Sequence, residues 1–293
     1  MDNEQIDRQA EVLIRECAEA HGWPLLTLGA VNFGSGGRAV TVEVTAEQFP
    51  HVELWCRSRH PNTGLWPVVL DDVDLLVEDS HSSPMSVMDP SMTRPDGRPV
   101  YTELPPLSIE QIAEQVKVTS PDEVIDKFRE RGEFDLAQSR TPEYLQYHSD
   151  TWLLRPRDPG FWLPMTGRGI NLADVASPLV PSERDALALF PARRCGDVLA
   201  VIGWYAVDSD TEIAEHVTLL NTLQDRYDIR LLGVAASWLD LMLPQGIADP
   251  DRAADLAAIL IGYSATLGFD TTETWSIVAS EIRRACYFRP FWS

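Results

Sequence analysis

Asp197-Val-Leu-Ala-Val-Ile-Gly-Trp-Tyr-Ala206 is an apolar run, too short for a long helix and rich in β-formers, so it reads as a buried strand. Working outward, Asp208 to Asp210 supply a turn and a helix cap. The stripe Ile213, Val217, Leu220 and Leu223 then predicts a helix to about Tyr227. Arg230 to Ala235 and Trp238 to Leu243 are two short strands split by a small-residue turn. A second helix follows from the Asp249-Pro250 cap to about Leu267, and the chain ends on Tyr287-Phe-Arg-Pro-Phe-Trp-Ser293. Strand, helix, strand, strand, helix is the order of a ferredoxin-like split βαβ sandwich.

Upstream, Ile6, Ala10, Leu13, Cys17 and Ala20 mark an amphipathic helix over Asn3 to Ala20. Leu25 to Val31 and Arg38 to Val44 flank Gly34-Ser-Gly-Gly37 as a hairpin. Val52 to Cys56 and Leu65 to Leu70 read as two more strands, joined by the turn signal His60-Pro-Asn-Thr-Gly64. From Glu78 to Leu107 six prolines predict a long irregular loop or linker. Helices return at Ser108 to Val118, after the capping-box start Ser120-Pro-Asp-Glu123, and at Pro142 to His148. Asp150 to Pro191 reads as an aromatic-rich connector. The expectation is an α+β protein, with an N-terminal helix and antiparallel sheet (1–77), a proline-rich loop (78–107), a helical and aromatic connector (108–190) and a C-terminal α/β sandwich domain (191–293).

The segments DVLAVIGWYA (197–206) and LQDRYDIRLLGVAASWLDLML (223–243), a helix and the terminal aromatic cluster together resemble a bacterial domain-of-unknown-function family numbered 4253. TGLWPVVL (Thr63 to Leu70) is similar to that family's other recurring segment, which implies a match over most of the chain. Members often carry an aromatic-Cys-Pro-Asp segment where this chain reads Ile261-Gly-Tyr-Ser-Ala-Thr266, so no role transfers for that cysteine. The resemblance implies a fold and a bacterial origin, and it brings no activity with it.

Composition bounds the function. The 293 residues carry 45 acidic against 24 basic groups, a net charge of −21. Such a field repels phosphate backbones, which argues against nucleic acid, and it accelerates association with a basic protein. No run approaches the length of a membrane span, and Met1-Asp-Asn-Glu-Gln5 is acidic where a signal peptide is basic, so a cytoplasmic protein is expected. Cys17, Cys56, Cys195 and Cys286 have no close pairing, as suits reduced thiols.

Chemistry-bearing motifs are sparse. Gly34-Ser-Gly-Gly-Arg38 lacks the Lys-Ser/Thr ending of a phosphate loop and precedes a strand. Asp71, Asp72 and Asp74 follow a strand, where carboxylates hold hard cations such as Mg²⁺ or Ca²⁺, and form the chain's candidate metal ligands. Cys56-x-x-x-His60 with His51 falls short of the four ligands of a structural zinc site. Cys195 follows Arg193-Arg194, which would favour a thiolate with His148 or His216 as base, against a plain structural thiol. Trp66, Trp204, Phe288, Phe291 and Trp292 are candidate interface or pocket residues, set against a core role. No cofactor is expected beyond such a metal. The balance leans away from an enzyme and toward a non-catalytic acidic protein-binding protein, of adaptor or immunity type. The alternative is a divalent-metal-dependent hydrolase or transferase using the acidic cluster, and a third reading is a small-ligand pocket closed by the terminal aromatics and the proline loop.

Overall fold

Leu65-Trp-Pro-Val-Val-Leu70 is the axis of the fold, because every one of its six residues is buried. A continuous apolar strand of that kind needs cover on both faces, and the computed structural model supplies it. The structure describes residues 2–81, 86–93, 99–103, 105–138, 185–205, 211–264, 282–283, 286–290 and 292. In chain order the described elements are α1 (Asn3–His21), β1 (Leu28–Asn32), β2 (Arg38–Val42), α2 (Phe49–Thr63), β3 (Leu65–Leu70), α3 (Val73–His81), β4 (Ser86–Thr93), β5 (Pro99–Glu103), α4 (Ile109–Val118), α5 (Pro121–Gln138), β6 (Ala186–Pro191), α6 (Asp197–Ile202), α7 (Ile213–Tyr227), β7 (Arg230–Val234), β8 (Leu239–Leu243), α8 (Pro250–Tyr263) and β9 (Cys286–Phe288).

Seven strands form one mixed sheet in the order β1-β2-β6-β3-β7-β8-β9. All neighbours are antiparallel except β3 and β7, which run parallel with Leu70 opposite Val234. On one face, Leu65 and Val69 join Leu187, Leu189 and Met242 beneath α1 and α2. On the other, Trp66, Val68 and Leu70 join Phe190, Leu231 and Leu241 against α4 to α8. The chain is therefore a mixed α/β protein in three layers, and strands from both of its halves interleave in one sheet.

The expected split sandwich gives way to this order, since β6 and β7 are separated by β3 and not by a hydrogen-bonded neighbour of their own segment. The Asp197 run, read as the sandwich's first strand, is the short helix α6, closed by Gly203 at φ 74° with its N–H on the Leu199 carbonyl. A short run that is buried on all sides lacks the alternation that tells strand from helix. The strand itself lies upstream, in Ala186-Leu-Ala-Leu-Phe-Pro191, which holds β2 on one side and β3 on the other.

The segment Val52 to Cys56, read as a strand, is the middle of α2. Its buried residues Phe49, Val52, Glu53 and Cys56 fall at helical intervals, and Pro50 opens the helix. The turn signal His60 to Gly64 is that helix's final turn, with Gly64 at φ 66° as the left-handed cap. Residues 78–107, expected as irregular loop, contain the end of α3 and the antiparallel pair β4–β5. Pro90 lies where the register of that pair shifts and Pro99 begins its second strand, positions where a missing N–H is tolerated. The hairpin β1–β2, strands β3, β7 and β8, and helices α1, α4, α5, α7 and α8 fall where the sequence predicts them, with cap bonds at Asp2, Ser108 and Asp249. The helix expected over Pro142 to His148 and the connector from Asp150 to Arg184 lie outside the described residues.

Candidate functional site

Where β3 and β7 end side by side, the Asp71 N–H donates to the Val234 carbonyl at 3.0 Å and carries the parallel pairing one residue past the strand. The carboxyl ends of parallel strands are where open α/β sheets place their ligands. Four charged side chains meet here. The Asp71 carboxyl shares a hydrogen bond with Asp185, which stands at the entrance to β6, and feels the charges of Arg289 and Asp240. Asp72 has a φ of 44°, an uncommon conformation for a residue with a side chain. Its N–H donates to the Asp185 Oδ1 at 3.1 Å, and its own Oδ1 accepts the Leu75 N–H at 3.3 Å to begin α3.

Asp240 and Arg289 form the second half of the cluster. The guanidinium grips the carboxylate through both oxygens, Nε to Oδ1 at 2.6 Å and Nη2 to Oδ2 at 3.2 Å. Asp240 is buried within β8, and only a glycine across the ladder leaves it room, because a Cβ at Gly233 would lie 2.5 Å from its Oδ2. Burial and the hydrogen bond to Asp185 push the Asp71 carboxyl up to about 6, with the Asp185 charge adding to the rise and Arg289 opposing it. As pH falls through about 6 the two carboxyls come to share a proton, which gives the pair the capacity to exchange one just below neutral pH.

Beside Asp185 a cleft of about 820 Å³ runs over the β1–β2–β6 side of the sheet under α3. Glu43, Asp74 and Asp185 stand on its walls, and Val31, Val42 and Val73 supply apolar surface. The three candidate metal ligands thus part company. Asp71 joins Asp185, Asp72 caps α3, and Asp74 faces the cleft. Among the described residues, no group of three His, Cys, Asp or Glu side chains is placed to hold a metal ion.

The remaining sequence candidates are placed as follows. Trp204 and Trp292 are core rings 5.4 Å apart, their indole N–H groups donating to the Ala235 and Tyr263 carbonyls. Phe288 is buried at the sheet edge, and Phe291 lies outside the described residues. Trp66 donates to the Leu231 carbonyl at 3.2 Å and lines a separate cleft. Cys195 is buried, and desolvation pushes its thiol up to about 12 against the opposing backbone bonds of Leu231 and Gly196 and the charge of Arg57. Its Sγ faces the Leu220 carbonyl at 3.5 Å, the environment of a structural thiol.

Sequence reading missed Asp185 and Asp240. Asp240 carries a readable signal, a carboxylate at the centre of the apolar strand Leu-Asp-Leu-Met-Leu, which folding permits only with a cation at hand. Asp185 carries none, since its role depends on where β6 inserts.

Fold and cluster together define a mixed α/β protein with an acidic, arginine-braced site at the carboxyl ends of its parallel strands. Residues 186–292 match the model of the family described as Domain of unknown function (DUF4253). That stretch opens with β6 and runs past β9, so the Thr63 to Leu70 segment lies outside it and the match is narrower than the resemblance implied. Comparisons with curated proteins and with solved structures return no match.

Proposed function

We propose that this protein is a non-catalytic binding protein, of adaptor or immunity type, that docks a basic protein through its acidic surface. The observation that carries the reading is the excess of 45 carboxylates over 24 basic groups. Further support comes from the way the chain uses its arginines, since Arg38, Arg129, Arg226 and Arg289 are each engaged by the chain's own carboxylates. Exposed acids remain on α1 (Glu4, Glu16, Glu19) and α5 (Glu123, Glu130, Glu133). Among the described residues no helix is long and apolar enough to cross a membrane. A cytoplasmic site of action agrees with the free thiols of Cys17, Cys56 and Cys195. Pull-down of native lysate should recover a basic protein in stoichiometric amount. Its dissociation constant should rise at least about tenfold as NaCl goes from about 50 to about 300 mM. A captured partner whose affinity ignores salt would sink the reading.

A second reading, a hydrolase or transferase working from the acidic cluster with Mg²⁺ or Ca²⁺, is favoured by the proton-sharing pair Asp71–Asp185. Under it, millimolar Mg²⁺, Mn²⁺ or Ca²⁺ raises the melting temperature by several degrees, and Asp71→Asn removes the gain. A melting temperature indifferent to all three ions counts against it.

A further inference from the structure

A cleft of about 470 Å³ opens between α2 and the turn that joins α7 to β7. In a chain of charge −21 its walls carry a local excess of basic side chains, Arg57, Arg230 and His60 against the single carboxylate of Asp228. Asp228 is the left-handed cap of α7 and is already bound to the Arg230 guanidinium at 2.9 Å.

Arg57 is the unusual member. Its side chain is only 10% exposed, and two of its three nitrogens are committed, Nε to Glu53 one turn earlier and Nη2 to the Pro67 carbonyl at 3.1 Å. The third nitrogen, Nη1, is buried with no partner. A buried guanidinium donor without an acceptor is rare in a folded protein, and here Glu53 Oε2, in the same ion pair, is buried without a partner as well. The Trp66 ring, 5.4 Å from the guanidinium carbon, and the Pro67 carbonyl fix the fork in place. At the same wall Gln224 spends its amide oxygen on the Cys195 N–H at 2.8 Å, which turns its NH₂ into a further donor. Leu54, 57% exposed, and Pro61 give the cleft an apolar lip.

We infer that this cleft binds a small organic anion, a carboxylate or a phosphate ester, whose oxygens take the free donor of Arg57 and the rim charge of Arg230 while its body rests on Leu54 and Pro61. Guanidinium forks suit both oxyanions because two N–H groups match two oxygens. The site is independent of the acidic surface proposed for protein binding, and either stands if the other falls.

The test is titration of the ¹⁵N-labelled full chain with sodium benzoate and, separately, inorganic phosphate, at ionic strength held constant with NaCl. The readouts are the indole N–H of Trp66 and, as an internal reference, those of the core rings Trp204 and Trp292. Expected is a saturable shift at Trp66 alone, reached below about 20 mM ligand. A response to benzoate alone assigns a carboxylate ligand, and one to phosphate alone a phosphate. Arg57→Lys, which keeps a positive charge beside Glu53, should weaken binding at least about tenfold, and the rim variant Arg230→Gln about fivefold. Both variants are to be checked for wild-type melting, so that a lost signal is not a lost fold. A Trp66 resonance that moves no more than the references with either ion overturns the assignment, as does unchanged affinity in both folded variants.

Discussion

Gly262→Ala is expected to lower the free energy of unfolding by about 3 kcal/mol, at the upper end of what overpacking costs. The same change in an exposed helix would stabilise by up to about 1 kcal/mol, because alanine is the better helix former and gives up less entropy. The sign is reversed here by the approach of α5 and α8. A Cβ at Gly262 would sit 1.9 Å from the Phe128 carbonyl oxygen and 2.6 Å from the Gly132 nitrogen, and one at Gly132 would sit 2.0 Å from the Ala258 carbonyl oxygen. All three obstacles are backbone, so no rotamer change relieves them and the helices must part. Parting them unseats the Phe128 and Tyr263 rings, which meet edge to face at 5.3 Å within the core. Urea unfolding should show the midpoint falling with an unchanged slope. Gly132→Ala should cost a similar amount. The double variant should cost clearly less than the two together, since a crossing already forced open admits the second methyl group cheaply. A neutral or stabilising Gly262→Ala would mean that the helices do not cross where the structure places them.

These glycines also mark where sequence reading stops. Strand β3 is legible because six consecutive apolar residues between a glycine and two aspartates admit few other fates. The same logic misleads at Asp197 to Ala206, where the run is equally apolar but coils into α6 beside the true strand. Alanine-rich and closed by proline, Ala186 to Pro191 has weak strand propensity, and its place between β2 and β3 is decided by the ladder it completes. In α2 the short alternation of Val52 to Cys56 imitates a strand, whereas the wider spacing of Phe49, Val52, Glu53 and Cys56 carries the helical period. Of the candidate site, Asp71 is visible from its position after a strand. Its partners Asp185, Asp240 and Arg289 come from three other places in the chain, and only the strand order brings them to one point. Spacing along a sequence reports local geometry, and this cluster is not local.

Acid should unfold this protein through His216. The ring is fully buried on α7, within 5.0 Å of Trp204 and 5.8 Å of Trp292 between centroids, with Nδ1 2.8 Å from the Tyr263 hydroxyl and Nε2 without a partner. Burial, aided by the Lys127 charge, pushes the imidazole down to about 3. Its ordinary value in the unfolded chain is about 6.5, so below that pH the unfolded state takes up a proton that the folded state refuses. The contribution is intact above about 6.5 and is lost at about 1.4 kcal/mol per unit as pH falls toward about 3. Asp71 works in the opposite sense. Its folded value of about 6 lies above the ordinary 3.8, so the folded state binds the extra proton and regains stability as pH falls through that window. Partial exposure of the carboxyl reduces this gain to about 1 to 2 kcal/mol. The two effects oppose each other between about pH 6 and pH 4, and His216 dominates below. His216→Phe, which keeps the ring among Trp204, Tyr263 and Trp292 but cannot charge, should therefore lose about 3 kcal/mol less than wild type between about pH 7 and pH 4. Asp71→Asn should lose more than wild type over the same span and gain stability at about pH 8. Urea midpoints at four pH values for the three proteins decide it, because the carboxylates other than Asp185, the coupled partner of Asp71, titrate alike in all and cancel in the differences. A His216→Phe curve parallel to wild type would mean that the imidazole is not held neutral by the core.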